Sequence, residues 1–351
     1  MQRQPDLNRR RFLTVGAGTA LAATLGAPQT SQAETAPEAP SNATVKFSLF
    51  ADLHHCPGSF YSEAPRRLKE IQERAVREKC SFIIHCGDFC HNPKKEREFV
   101  ESYQNFEIPS YHTCGNHDFD GCSDAETFAA YKLDKGYYYF DRDGFRFVVL
   151  DGNYFRDDDG TFTHYANGNY FKYKGSAISI IPPEQLAWFA ETLATSPFPC
   201  ATFIHQSFER ERGGVANWRE IREIIDGVNK KNPGRVRLCC NGHHHRDFIR
   251  ILNDVVYFDV NSTTHEWLNV RHNLYPKELC DQADNMNHTV LFNDPVHAVV
   301  TMSADGSLEI AGMESSMFMG VTPEKAGAAF ADPSGRPVTP TVQSFKAKFS
   351  Y

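Results

Sequence analysis

No stretch of this 351-residue chain approaches the roughly 18 uninterrupted apolar residues that a membrane-spanning helix needs, and the nearest candidate lies within the first thirty positions. A stable membrane anchor is therefore not expected. A surplus of positive charge is missing as well. The 37 Lys and Arg face 44 Asp and Glu, for a formal net charge of −7, which argues against nucleic acid or an anionic membrane as partner. Cysteine, at ten residues, is too sparse for a disulfide scaffold, and no Cys pair has zinc-ribbon spacing with a matching second pair. No internal repeat is visible. What remains, at 41% hydrophobic residues with 27 Phe and 14 Tyr, is material for one large globular domain or two ordinary ones.

The N-terminus reads as a targeting segment. Asn8-Arg9-Arg10-Arg11-Phe12-Leu13 precedes a mild Gly/Ala-rich apolar stretch from Val15 to Leu25, and Ser31-Gln32-Ala33 offers small residues for cleavage. This resembles a twin-arginine signal, with Asn8 where Ser or Thr is usual. The resemblance implies passage through the twin-arginine export machinery to a periplasmic or secreted location. No cysteine precedes Cys56, so no lipid anchor is expected at this cleavage point. Loss of residues 1–33 removes four arginines and one aspartate and takes the formal charge from −7 to −10. Residues 34–43 are a Pro/Ala/Ser-rich linker with nothing to bury. The folded domain is expected over 44–320, followed by a loosely packed Gly/Pro/Ala-rich extension over 321–351.

Within the domain, strands and helices alternate. Val45, Phe47, Leu49 and Phe50 form a strand ending in Asp52-Leu53-His54, where a period of two predicts Asp52 and His54 on one side. Leu68, Ile71, Ala75 and Val76 recur at helical spacing after Pro65. The apolar run Ser81 to Cys86 then ends in Gly87-Asp88, completing a βαβ unit. A helix over Glu96 to Asn105 leads to a strand over Ile108 to Cys114, which opens into Gly115-Asn116-His117-Asp118. Tyr137 to Phe140 and Phe145 to Leu150 read as a hairpin. Residues 153–179 form a Gly-, Asp- and aromatic-rich loop long enough to shape a site. The strand Cys200 to Ile204 ends in His205, and Arg235 to Cys240 ends in Asn241-Gly242-His243-His244-His245. The remainder is mostly β, consistent with a second sheet packed on the first.

Five strand ends thus carry Asp52-x-His54, Gly87-Asp88, Gly115-Asn116-His117-Asp118, His205 and Gly242-His243-x-His245, in that order. Carboxylate, amide and imidazole groups at strand ends are poor filler for a core. This pattern resembles the calcineurin-like metallophosphoesterase family over roughly Val45 to Val260. The resemblance implies a four-layer α/β/β/α sandwich of two mixed sheets flanked by helices. It also implies two divalent metal ions: Asp52, His54 and His245 on one, Asn116, His205 and His243 on the other, Asp88 bridging. Oxygen and nitrogen donors suit Mn, Fe or Zn. A water held between the cations would attack phosphorus, His117 would protonate the leaving oxygen, and Asp118 would orient His117.

His55 and His244 alternate with the ligands and are expected to face away from the metals. His91 stands three residues after Asp88, where purple acid phosphatases carry a tyrosine ligand, and a histidine there argues against that branch. It could touch substrate or sit beside a helix cap. Arg246, Arg156 and Lys172 are candidate phosphate contacts. Cys56, Cys86, Cys90, Cys114, Cys239 and Cys240 lie near the motifs and read as small packing residues beneath the site rather than thiolate ligands. No His-x-His opens a strand, as a zinc amidohydrolase would require. The expected function is hydrolysis of a small phosphorylated substrate, leaning to a diester or nucleotide because the loop is broad and no Arg cluster is evident. A phosphomonoesterase and a non-catalytic metal-binding scaffold are the alternatives.

Overall fold

Alternation along Thr44–Phe50 sends Val45, Phe47 and Leu49 into one apolar cluster and Phe50 into another, as a strand buried on both faces must. The same division recurs at Ile84 against Ile83, Val149 against Val148, Phe203 against Ile204, and Cys240 against Cys239. Three apolar layers follow from it. The middle one, with Phe47, Phe82, Phe147 and Phe203 in ring contact, lies between two six-stranded sheets. The outer two lie under helices Ala64–Arg77 and Arg97–Gln104 on one side, and Pro183–Ala194 and Trp218–Lys231 on the other. The computed structural model describes residues 42–59, 62–173, 177–209, 213–268, 271–322, 325 and 338–351. The segment expected as a signal, residues 1–33, lies outside the described residues, as does the expected linker before residue 42. Among the described residues no helix is long and apolar enough to cross a membrane.

The first sheet runs Phe345–Lys348, Ser307–Ala311, Ala298–Ser303, Thr44–Phe50, Phe82–His85, Ser110–Tyr111, with the last three parallel. The second runs Phe248–Leu252, Val255–Asp259, Val236–Asn241, Cys200–Ile204, Phe145–Val149, Tyr138–Arg142, parallel through its four middle strands. Both sheets are mixed. In register, Phe50 lies beside His85 and Ile204 beside Asn241, so the parallel strands all release their chains at one edge. Open α/β sheets bind their ligands at such carboxyl ends.

Four local outcomes refine the sequence reading. The strand expected over Ile108 to Cys114 pairs only at Ser110–Tyr111, because it is an edge whose outer side has no partner. The segment 321–351 is not merely a loose extension: Phe345–Lys348 supplies the outermost strand of the first sheet. The long loop contains its own three-stranded sheet from Tyr154–Arg156, Phe162–His164 and Ala177–Ile178, with a helical turn at Asn169–Lys172. A helix at Asp124–Tyr131 is also present. Its start was legible, since Ser123 and Glu126 form a reciprocal capping box.

Candidate metal centre

The chain leaves the first strand at Phe50, so Asp52 and His54 do not share a side through strand periodicity. Both take left-handed backbone, at φ 53° and 51°, and their N–H groups donate to the carbonyls of Gly87 and Asp88. Asp88, His243 and His245 are left-handed too, at 49°, 70° and 49°. Non-glycine residues in this region cost on the order of 1 kcal/mol or more each, and such strain gathers at functional sites. Close packing explains the motif glycines. A Cβ on Gly87 would lie 2.3 Å from His205 Nδ1, one on Gly115 2.3 Å from Asp88 Oδ1, and one on Gly242 2.6 Å from Asp52 Oδ2. Any side chain there would displace the group it backs.

All seven side chains expected as ligands converge. His54 Nε2 lies 3.0 Å from His245 Nε2, 3.9 Å from Asp52 Oδ1 and 3.8 Å from Asp88 Oδ2. On the other side, His205 Nε2 lies 3.1 Å from Asp88 Oδ2, 3.1 Å from Asn116 Oδ1 and 3.2 Å from His243 Nδ1. Asp88 belongs to both groups. The remaining ring nitrogens are tied back: His205 Nδ1 to the Cys86 carbonyl at 2.7 Å, His245 Nδ1 to the His265 carbonyl at 2.7 Å, and His54 Nδ1 to His91 Nε2 at 2.8 Å. A backbone carbonyl can only accept, so at His205 and His245 the Nδ1 carries the proton and the Nε2 lone pair faces the centre. Facing ring nitrogens 3.0 Å apart at His54 and His245 and 3.2 Å apart at His205 and His243 fit a cation shared within each pair. The seven residues therefore suit two N/O-ligated divalent ions.

Electrostatics agree with that fit. Burial and the facing His205 push His243 down to about 3, and burial holds His54 well below the ordinary imidazole range. Against its own burial, His205 is raised to about 9 by Asp88, while Asp88, also against burial, is held well below the carboxylate range by His205 and His117. A proton on His205 would offset the buried carboxylate in the metal-free site, and bound cations would take its place. The cysteines take no part. None belongs to a group of convergent metal donors among the described residues, and burial pushes the Cys86 and Cys114 thiols well above their ordinary value.

The carboxylate on His117 is not Asp118. Asp118 turns inward, where Oδ1 accepts from the Phe89 and Cys90 N–H groups and the Tyr131 hydroxyl and Oδ2 accepts from the Gly115 N–H. It pins the Asp88 loop to the Asn116 loop. Asp120 reaches His117 instead, with Oδ2 2.8 Å from Nδ1. Its oxygens also meet His91 Nδ1 at 3.0 Å and the Tyr170 hydroxyl at 2.6 Å, and that hydroxyl accepts from Asn116 Nδ2 at 3.1 Å. One carboxylate thus ties His117 to His54 through His91, and to Asn116 through Tyr170. Burial opposes a charge on His117, but Asp88 and Asp120 together raise it above the ordinary imidazole value.

The remaining residues sort by contact. His55 turns away to Glu96 at 3.3 Å and stacks on Phe99. Arg246 is buried and paired with Glu266, so it is not a phosphate contact. Arg156 and Lys172 are exposed. Sequence reasoning missed Asp120, Tyr170 and His265, whose ring packs 5.0 Å from His54 and 4.8 Å from His245. His265 also forms a convergent donor group with those two histidines.

A family model for calcineurin-like phosphoesterases matches residues 45–247, more than half of the chain. The chain belongs to the calcineurin-like phosphoesterase family. It is accordingly a metallophosphoesterase, a hydrolase of phosphoric ester bonds. No curated protein matches it. Among solved structures it is similar to a dimetal phosphatase from Danio rerio, at 13% identity and a TM-score of 0.53, covering 80% of this chain and 100% of that one. It also aligns with GAP50, the anchor in the inner membrane complex of Plasmodium, at 10% identity and TM-score 0.47, covering 88% and 90%. A third alignment is with a putative 5′-nucleotidase from Staphylococcus aureus, at 13% and 0.43, covering 84% and 57%. The first of these similarities supports the phosphoesterase fold.

Proposed function

We propose that this phosphoesterase is an exported two-metal enzyme that hydrolyses a small phosphoester of diester or nucleotide type. The observation that carries this reading is the pair of donor groups sharing Asp88, with His117 beside them. When bound, two divalent cations supply a nucleophile at neutral pH and neutralise phosphoryl oxygens. The side chains do the rest. Asp52, His54 and His245 would hold one cation, Asn116, His205 and His243 the other, and Asp88 both. The His117 N–H donates to Asp88 Oδ1 at 2.8 Å, so the backbone that orients the bridging carboxylate also places the His117 ring. That ring, charged and held at Nδ1 by Asp120, would deliver a proton to the departing oxygen.

Metal analysis of the mature protein, run beside hydrolysis of one chromogenic phosphate monoester and one diester, tests the reading. Two metals per chain with diester cleavage is the expected result. Monoester preference would keep the class and overturn the diester lean, and no metal with no cleavage after reconstitution would leave a scaffold. Export rests on the twin-arginine resemblance of residues 8–33. Changing Arg9 and Arg10 together to Lys should leave uncleaved precursor inside the cell. Unaffected secretion would sink that route.

A further inference from the structure

Beside His117 lies a cavity of about 510 Å³. None of the seven metal-binding candidates lines it, whereas His117, His91 and Asp120 do. His117, the side chain assigned to the leaving oxygen, thus stands between this cavity and the metal-binding candidates together with His91, which touches His54 at 2.8 Å. Volume decides what can sit there: the cavity falls within the roughly 300–1,000 Å³ of organic-ligand pockets, far more than a phosphoryl group fills. Charge narrows it further. Among the described residues that line it, Lys95 is the one lysine or arginine; it lies 3.6 Å from Glu96, which also pairs with His55, and the His117 ring is engaged by Asp120. The described wall therefore suits an uncharged organic group better than a second phosphate.

Phe171 gives that group its shape. It sits on the helical turn of the long loop, lines the cavity, and is 60% exposed, the highest value among the large apolar side chains described. It is nonetheless held from behind, with its ring 4.3 Å from that of Tyr170 and 6.0 Å from that of His117. A supported ring facing an open cavity is a stacking platform for a planar heterocycle. Trp267 adds a second aromatic wall, and Asn285 lines the same space, its amide a donor and acceptor suited to a heterocycle's edge. Building on the phosphoesterase reading of the metal centre, we infer that this cavity receives the substrate's leaving group, and that this group is a nucleoside whose base stacks on Phe171.

Adenosine monophosphate and ribose phosphate have the same phosphate and the same departing oxygen and differ only in the base. Their methyl diesters form a second such pair. The metal-loaded parent and Phe171→Ala, a change at an exposed position, are compared by kcat/KM on both pairs. In whichever ester class is hydrolysed, the adenosine compound should exceed its ribose counterpart at least tenfold in the parent. That ratio should fall to within about threefold in Phe171→Ala and return in Phe171→Trp, as the usual strength of base–aromatic stacking suggests. Equal kcat/KM for the two members of a pair in the parent, or a ratio untouched by Phe171→Ala, would overturn the inference while leaving the phosphoesterase intact. Failure to cleave any phosphoester with metal bound would instead bring down the underlying reading, and this inference with it.

Discussion

Asp88→Ala is expected to lose both metals and hydrolysis together. Asp88 Oδ2 stands 3.1 Å from His205 Nε2 and 3.8 Å from His54 Nε2, so its carboxylate is the one charge common to the two donor groups. Two dications about 4 Å apart repel with four times the energy of a unit pair, on the order of 15 kcal/mol at an effective dielectric of 20. Without the carboxylate between them, only Asp52 on one side offsets that repulsion. Loss of the cations removes several kcal/mol of transition-state stabilisation, which is at least roughly 10³-fold in kcat/KM. Elemental analysis and kcat/KM on the same preparation, with a thermal melt to show that the variant is folded, check this. A variant that keeps two metals per chain would refute a bridging role for Asp88.

The second expected result separates proton delivery from metal binding. His117→Ala should retain both metals yet lose about 10² to 10⁴ in kcat, the usual range for a general acid. Asp120→Asn should act through pH. Asp120 raises His117 against its burial, and the acid must be protonated to work, so activity falls as pH rises through that raised value. Removing the carboxylate's charge lowers it, and the alkaline limb of the kcat profile should move to lower pH. Asp88 also raises His117, but bound cations would take up its charge, which leaves Asp120 the cleaner probe. The effect should be large on alkyl esters and small on a p-nitrophenyl ester, whose leaving group needs little protonation. Metal loss in His117→Ala equal to that in Asp88→Ala, or an unmoved limb in Asp120→Asn, would count against the assignment.

The contrast between Asp118 and Asp120 shows where sequence reasoning reached its end. Both follow His117 within three positions, and either could orient it on spacing alone. The chain turns through a short helical segment at Asn116–Phe119. That turn points Asp118 at backbone N–H groups from residue 89, residue 90 and residue 115, and leaves Asp120 facing the imidazole. Which carboxylate faces outward depends on that turn and on the loop packed against it. Tyr170, His265 and Trp267 pose the same problem in stronger form. Tyr170 stands on the long loop and His265 and Trp267 on the short strand His265–Trp267; no motif surrounds them, and they reach the centre only because those distant segments fold over the strand ends. The left-handed backbone at five of the seven donors was equally hidden, since Asp and His carry no general preference strong enough to announce it.

The elements, their order and the polar motifs at the strand ends were legible in the sequence by itself, and the layered fold and the set of seven side chains were what the family resemblance of those motifs implied. Strand periodicity, crossover helices and polar residues at strand ends are local features that each segment carries alone. Tertiary structure decided which carboxylate holds His117, which histidines support the donors from behind, and that an aromatic-walled cavity opens beside the centre. Those outcomes depend on contacts between segments far apart in the chain, such as Tyr170 with Asn116 and Asp120, and relative placement in space is not encoded in the pattern of any one of them.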